Sequence, residues 1–105
     1  MKKYSVLILG SNGLVGSSLV RTLENSSKVS YIYKPSRKEL DLFSLDQTKK
    51  FISSNKPEII INAAAKVGGI LANDTYRADF IYDNLSIQIN IIHAAHKHDV
   101  KKLLF

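Results

Sequence analysis

Short apolar runs and longer amphipathic stretches alternate along this chain. Runs of apolar and β-branched residues, typical of buried strands, lie at 4–9, 29–33, 59–61 and 102–105. Between them, apolar residues recur at helical spacing over 14–24, over a stretch that begins at the capping-box pair Ser44 and Gln47, and from near Ala78 to His98. Because strands and helices alternate, the pattern predicts an α/β fold with one parallel sheet and right-handed crossovers.

The composition narrows the class of protein. The 105 residues provide for one domain with a modest core. The chain has no cysteine, which excludes a disulfide framework and a thiolate metal site. Its apolar runs are far too short to span a bilayer, and Met1-Lys2-Lys3 leads straight into a strand without a signal-peptide cleavage site. We therefore expect a cytoplasmic protein with no membrane partner.

The net charge of +6 raises the question of a polyanionic partner. The basic residues are scattered along the chain as isolated pairs, and no aromatic residue is interleaved with a basic cluster. This distribution favours a mildly basic, solvated surface and predicts no nucleic-acid partner.

Three glycines follow the first predicted strand with the spacing G-x-x-G-x-x-G. Gly10 would permit a tight turn, Gly13 would let backbone N–H groups approach a pyrophosphate, and Gly16 would let the helix pack closely on the sheet. The N-terminus of the next helix would add N–H donors and a favourable dipole. A purely structural glycine turn is the alternative. The strand–glycine–helix context favours dinucleotide binding by a Rossmann-type, doubly wound sheet that is incomplete at its C-terminal side.

The end of the second strand distinguishes between cofactors. An acidic residue there would bind the ribose 2′-hydroxyl of NAD, but this chain has Arg37, about twenty residues after Gly16. A guanidinium binds a phosphate through paired hydrogen bonds, whereas an acid would repel it. A solvated basic loop is the alternative interpretation. The sequence therefore favours NADP.

Other polar and small residues are less specific. The loop at 62–69 combines small residues with Gly68 and Gly69, which suits either a close-lying adenosine or a tightly packed βα loop. Asn84 has apolar helical neighbours, so it is expected to face the core as a structural tie or as part of a proton or water relay. His93, His96 and His98 have no matching acidic or cysteine ligand, so no metal site is expected.

Several of these stretches together resemble the extended short-chain dehydrogenase/reductase family, and within it the GDP-L-fucose synthases. They lie at 10–16, 36–42, 63–70, 73–76, 78–82, 90–96, 99–100 and 102–105, and the match covers nearly the whole chain. The resemblance implies 3,5-epimerisation of GDP-4-keto-6-deoxy-D-mannose and 4-reduction with NADPH, in a homodimer when full length. It also implies that residues 1–105 are the N-terminal part of the dinucleotide-binding domain, with the substrate domain absent.

The candidate cofactor-binding residues lie in three loops and are Gly10, Ser11, Asn12, Gly13, Leu14, Val15, Gly16, Arg37, Asp41, Leu42, Asn62, Ala63, Ala64 and Lys66. The resemblance assigns the pyrophosphate to 10–16 and the 2′-phosphate to Arg37, and it likens Asn84 and Asn90 to paired asparagines of the family's fourth helix. Many such synthases carry a second basic residue in the glycine loop. Asn12 stands there in this chain, which weakens the NADP preference.

No catalytic residue is assigned within this chain. The family's catalytic Ser, its Tyr-x-x-x-Lys pair and its epimerisation acid and base all correspond to positions beyond Phe105. None of the five tyrosines here is followed four residues later by lysine. The chain is therefore expected to be a fragment or a remnant and inactive alone. The alternatives are a cofactor-binding part of another nucleotide-sugar epimerase or dehydratase, or a non-catalytic nucleotide-binding module.

Overall fold

A computed structural model describes residues 2–64 and 77–105 of the chain, with only the backbone of 77–81. The strands are β1 (Tyr4–Leu9), β2 (Val29–Tyr33), β3 (Ile59–Asn62) and β4 (Lys102–Leu104). The helices are α1 (Leu14–Glu24), α2 (Leu45–Asn55) and α3 (Arg77–Lys97). The predicted α/β order is confirmed, with most bounds within a residue of those that the apolar pattern predicted.

The four strands form one parallel sheet in the order β2-β1-β3-β4. In this order β1 lies beside both β2 and β3, with Leu7 opposite Tyr33 on one side and Ile60 on the other. The continuous apolar run of β1 is buried on both faces from Val6 to Leu9, as the pattern predicted. Because the strands are parallel, their carboxyl ends all lie at the same end of the sheet.

The core has two parts, one on each face of the sheet. On one face Leu7, Leu9 and Ile60 pack with Ile52 of α2 and Ile91 of α3. On the other face Val6 and Ile8 pack with Val20 of α1. Alternate residues of β1 thus serve opposite faces, which is the doubly wound arrangement. Burial of each such large aliphatic side chain stabilises the fold by about 1.5–3 kcal/mol.

The N-terminus of α2 begins at the predicted capping pair. The Ser44 hydroxyl accepts a hydrogen bond from the Gln47 backbone N–H at 3.2 Å. In a capping box the Gln47 side chain would return to the Ser44 N–H. Here its Oε1 instead accepts from the backbone N–H of Asp41 at 3.1 Å. The cap therefore fixes the loop before the helix as well as the first helical turn.

At the opposite end of the sheet, where the strands begin, Glu58 links three strands. Its carboxylate accepts from the Ser5 backbone N–H at 3.2 Å and lies 3.5 Å from the ammonium groups of Lys2 and Lys101. The Ser5 N–H is the main cause that lowers the pKa of Glu58, and the two lysines lower it further. Glu58 thus supports the fold on the side away from the glycine loop. Its role was not predicted from the sequence.

Candidate functional site

Three loops lie at the end of the sheet that is formed by the carboxyl ends of the strands. The loop at 10–13 follows β1, the loop at 34–44 follows β2, and residues 63–64 follow β3. Since β1 lies between β2 and β3, its glycine loop is flanked by the other two. Ligands of doubly wound sheets bind outside the carboxyl ends of the strands. The sequence-predicted candidates of the described part of the chain therefore share one region of the molecule.

Two glycines of the first loop are required by the protein's own geometry. Gly10 has φ +79°, a left-handed conformation that favours glycine. A Cβ at Gly10 would lie 2.7 Å from the backbone of Ala63 and Ala64, so these two loops touch backbone to backbone. A Cβ at Gly16 would overlap the carbonyl oxygen of Gly10. Gly16 therefore lets the first turn of α1 pack closely, as predicted, but the atoms it packs on belong to the loop at Gly10 and Ser11 and not to the sheet.

Gly13 differs from the other two glycines. Its φ of −78° and ψ of 176° suit any residue, and an added Cβ would meet only the Gly10 carbonyl oxygen, at 3.4 Å. As the N-cap of α1 it offers no side-chain cap, and the first helical turn contains no acidic residue. The N–H groups of that turn lack intrahelical acceptors. This end of α1 therefore favours an anion, and nothing in the local fold demands glycine at 13.

The remaining residues of the glycine loop are divided between interior and solvent. Ser11 is buried and Asn12 is exposed. The structure exposes 89% of Leu14 and 63% of Val15, two apolar residues that the sequence places among the cofactor-binding candidates. They stand in the first turn, beside the open side of the glycine loop, while Val20 further along packs on the sheet.

Arg37 lies in a short turn between two buried anchors, Pro35 and Leu40. Its side chain is exposed and, within residues 2–64 and 82–105, takes part in no ion pair. Lys34 in the same loop does pair, with Glu24 at 3.4 Å. The exposed cation expected at the end of β2 is therefore present, and no acidic side chain of the described ranges forms an ion pair with it.

Three hydrogen bonds hold Asp41 and Leu42 in place. The Asp41 carboxylate accepts from the backbone N–H of Phe43 at 3.0 Å, and its own N–H donates to Gln47. The Leu42 carbonyl accepts from the side-chain amide of Asn90 at 2.8 Å. Asn90 thus ties α3 to the loop after β2 across 48 positions of sequence. No local feature of the sequence predicts this contact, because it depends on how α3 crosses the sheet.

The end of β3 is shaped by its last residue. The side chain of Asn62 accepts from the backbone N–H of Ala64 at 2.9 Å, which is an Asx-turn. The Ala63 N–H donates to the Leu9 carbonyl at 2.9 Å, so this turn is joined to β1. Asn62, Ala63 and Ala64 therefore stand beside Gly10 as expected. Lys66, Gly68 and Gly69 lie outside the described residues.

Helix α3 adds polar residues whose roles are not fixed by these contacts. Asn84 is half-buried, so its predicted burial in the core is only partial. His93 and His96 are exposed. No three His, Cys, Asp or Glu side chains of the described ranges are grouped so that they could hold a metal ion. Nor is any helix in those ranges long and apolar enough to cross a membrane.

Comparison with known proteins shows which protein family the sequence matches. The model described as "NAD dependent epimerase/dehydratase family" matches residues 6–105. The chain is 49% identical over 105 residues to the GDP-L-fucose synthase of Escherichia coli strain K12, with 100% of this chain and 32% of that protein covered. It is also 49% identical over 104 residues to GDP-L-fucose synthase 1 of Arabidopsis thaliana, with 99% and 32% covered. The chain thus spans about a third of the length of these relatives.

A solved structure agrees in fold. A GDP-mannoheptose C4 reductase from Campylobacter jejuni, solved with NADP bound, superposes with a TM-score of 0.87 at 37% sequence identity. The comparison covers 98% of this chain and 30% of that one.

Proposed function

We propose, from the premise that this chain belongs to the NAD-dependent epimerase/dehydratase family, that it is the NADP-binding N-terminal part of a GDP-L-fucose synthase. Such an enzyme epimerises C3 and C5 of GDP-4-keto-6-deoxy-D-mannose and then reduces C4 with NADPH. The observation that carries the proposal is the glycine loop at the N-terminus of α1, which has no side-chain cap and contacts Ala63-Ala64. The strand order sets the loop after β2, which carries the exposed Arg37, on its other side. Identity of 49% to two GDP-L-fucose synthases supports the substrate class.

The residues of this chain would bind and orient the cofactor. The N–H groups at the start of α1 would hold the pyrophosphate, because they lack intrahelical acceptors and carry the positive end of the helix dipole. Arg37 would bind the 2′-phosphate. Asp41, Leu42 and the small residues at 62–64, with Lys66, would border the adenosine. Bound NADPH supplies the hydride that reduces the ketone.

The first prediction concerns cofactor choice. In the full-length protein, Arg37→Ala should weaken NADPH binding by about 1–3 kcal/mol, the scale of a lost charge-assisted hydrogen bond. NADH binding should barely change, since NADH lacks the 2′-phosphate. Fluorescence titration of both cofactors measures the two losses, and Lys34→Ala is the control because Glu24 already pairs with Lys34. Equal losses for NADPH and NADH would contradict the assignment of Arg37.

The homodimer expected from the family resemblance is also part of the proposal. Helix α3 buries Ile87, Ile91 and Ala94 against the sheet. On another face it exposes an apolar seam formed by Tyr82, Leu85, Ile89 and Ile92. These four side chains are 49–71% exposed. Their spacing of three, four and three residues is that of a helix–helix packing seam. A second copy related by twofold symmetry would present the same seam.

A charge placed in this seam tests the dimer. Ile89→Glu should convert the full-length dimer to a monomer, because a buried, unpaired carboxylate is costly to desolvate. Size-exclusion chromatography with light scattering gives the mass. Gln88→Glu, an exposed neighbour outside the seam, should leave the dimer intact. A dimer that survives Ile89→Glu would show that the seam is covered by the protein's own chain or left to solvent.

Two rival functions remain distinguishable. A nucleotide-sugar epimerase or dehydratase that uses NAD would bind NADH as tightly as NADPH and would not turn over GDP-4-keto-6-deoxy-D-mannose. A non-catalytic module would bind the dinucleotide without turnover in any length of the protein.

A cytoplasmic location stays part of the proposal.

A further inference from the structure

The turn that carries Arg37 is closed by a reciprocal pair of hydrogen bonds between Ser36 and Glu39. The Ser36 backbone N–H donates to the Glu39 carboxylate at 3.1 Å, and the Glu39 N–H donates to the Ser36 hydroxyl at 3.3 Å. The Ser36 carbonyl also accepts from the backbone N–H groups of Glu39 and Leu40, at 3.1 and 2.9 Å. The sequence Ser-x-x-Glu has the spacing of a capping box, here closed around a single turn.

This pair decides where a carboxylate lies in a loop that would receive a phosphate. Glu39 is two residues from Arg37, and it is the type of residue that would bind a ribose 2′-hydroxyl and repel a 2′-phosphate. The Ser36 N–H, and after it the Ser36 hydroxyl, lower the pKa of Glu39. Within residues 2–64 and 82–105, Arg37 makes no ion pair with it or with any other acid.

The turn is also fixed at both ends. Pro35 and Leu40 are buried, while Arg37 and Lys38 between them are exposed. Leu40 packs in the same core cluster as Ile52 of α2. The backbone of Arg37 is therefore set by the core on either side and by the Ser36–Glu39 bonds within the turn.

We infer that Ser36 and Glu39 are positioning residues that determine the preference for a 2′-phosphate. They fix the backbone from which Arg37 extends, and they hold the Glu39 carboxylate on the Ser36 N–H, where it forms no ion pair with the Arg37 guanidinium. This inference rests on the proposed role of Arg37 in NADP binding. A released carboxylate would be free to pair with Arg37, and the loop would lose its discrimination in favour of the phosphorylated ribose.

The test compares two probes that differ only in the 2′-phosphate, adenosine 2′,5′-bisphosphate and 5′-AMP, by calorimetric titration of the full-length protein. Glu39→Ala removes the acceptor of the Ser36 N–H and opens the turn. It should weaken bisphosphate binding about tenfold and leave 5′-AMP binding unchanged. Glu39→Gln keeps an oxygen that can accept from Ser36 and should retain most of the bisphosphate affinity. A carboxylate that acted only by repelling phosphate would give tighter bisphosphate binding in both variants, which would overturn the inference.

Further variants separate positioning from general destabilisation. Ser36→Ala removes only the hydroxyl acceptor, so it should give a smaller loss in the same direction even if Glu39→Ala fails to fold. Ser26→Ala is the matched control, since its hydroxyl accepts from the Lys28 N–H in a turn outside the three loops of the site. It should change neither probe. Equal weakening of both probes by the Ser36 or Glu39 variants would overturn the inference.

A double-mutant cycle distinguishes this inference from the proposed function. If Glu39 acts through Arg37, Glu39→Ala should cause no further loss of bisphosphate binding in the Arg37→Ala background. If Arg37→Ala weakens the bisphosphate selectively and Glu39→Ala does not, the inference fails while NADP binding by Arg37 stands. If Arg37→Ala affects both probes equally, the proposed role of Arg37 fails and the inference fails with it.

Discussion

Gly13→Val should abolish dinucleotide binding while leaving the helical circular-dichroism signal close to that of the parent protein. The backbone of Gly13 suits any residue, and an added Cβ would meet only the Gly10 carbonyl oxygen, at 3.4 Å. The new side chain would therefore occupy the space in front of α1, where the pyrophosphate is expected. Loss of several charge-assisted hydrogen bonds predicts a fall in NADPH affinity of about a hundredfold or more.

Gly16→Ala is the informative control for that experiment. A Cβ at Gly16 would overlap the Gly10 carbonyl oxygen, so the loop and α1 must move apart. We expect it to lower the free energy of unfolding by about 1–3 kcal/mol, the usual range for overpacking. Calorimetric titration gives the affinities, and thermal unfolding gives the stabilities. Unchanged NADPH affinity in Gly13→Val would mean that the glycine loop is only structural.

The chain of 105 residues should show no reductase or epimerase turnover by itself. Reduction of a ketone needs a group that donates a proton as the hydride arrives, with a pKa suited to that task. The family resemblance assigns this role to a Tyr-x-x-x-Lys pair, and no tyrosine of this chain is followed by lysine at that spacing. The expected loss of activity relative to a full-length synthase is complete.

The assay incubates purified chain with NADPH and GDP-4-keto-6-deoxy-D-mannose and follows the absorbance of the reduced nicotinamide. A GDP-L-fucose synthase of full length provides the positive control. Sustained oxidation that depends on the chain would show that residues 1–105 contain catalytic groups that the sequence did not reveal.

The same preparation should tend to self-associate. β4 forms one edge of the sheet, and Leu104 and Phe105 at its end are 46% and 59% exposed. An unpaired strand edge beside apolar side chains favours association between copies. This tendency is consistent with a chain that spans about a third of the length of its relatives.

The sequence by itself determined the order and type of the elements, because these depend on local periodicity. The apolar run of β1 predicted a strand buried on both faces, and the structure buries Val6 to Leu9. Ser44 and Gln47 marked the start of α2, where Ser44 caps the helix. The glycine spacing also indicated the turn at Gly10, since a left-handed residue before a helix is a local requirement.

Helical periodicity had a limit at the first turn of α1. It identified the stripe that contains Val20, but it could not show that Leu14 and Val15 lie beyond the region where α1 packs on the sheet. Whether an apolar residue is buried depends on what lies opposite it, and spacing along one helix does not contain that information.

Only the tertiary structure decided which loops form the site. The contact of Gly10 with Ala63-Ala64 and the bond from Asn90 to Leu42 each join residues about fifty positions apart. They follow from the strand order β2-β1-β3-β4, which sets β3 beside β1 and carries α3 over the sheet toward the loop after β2. Local propensity fixes an element, whereas such contacts depend on the packing of distant elements, and the same local signals are compatible with other strand orders.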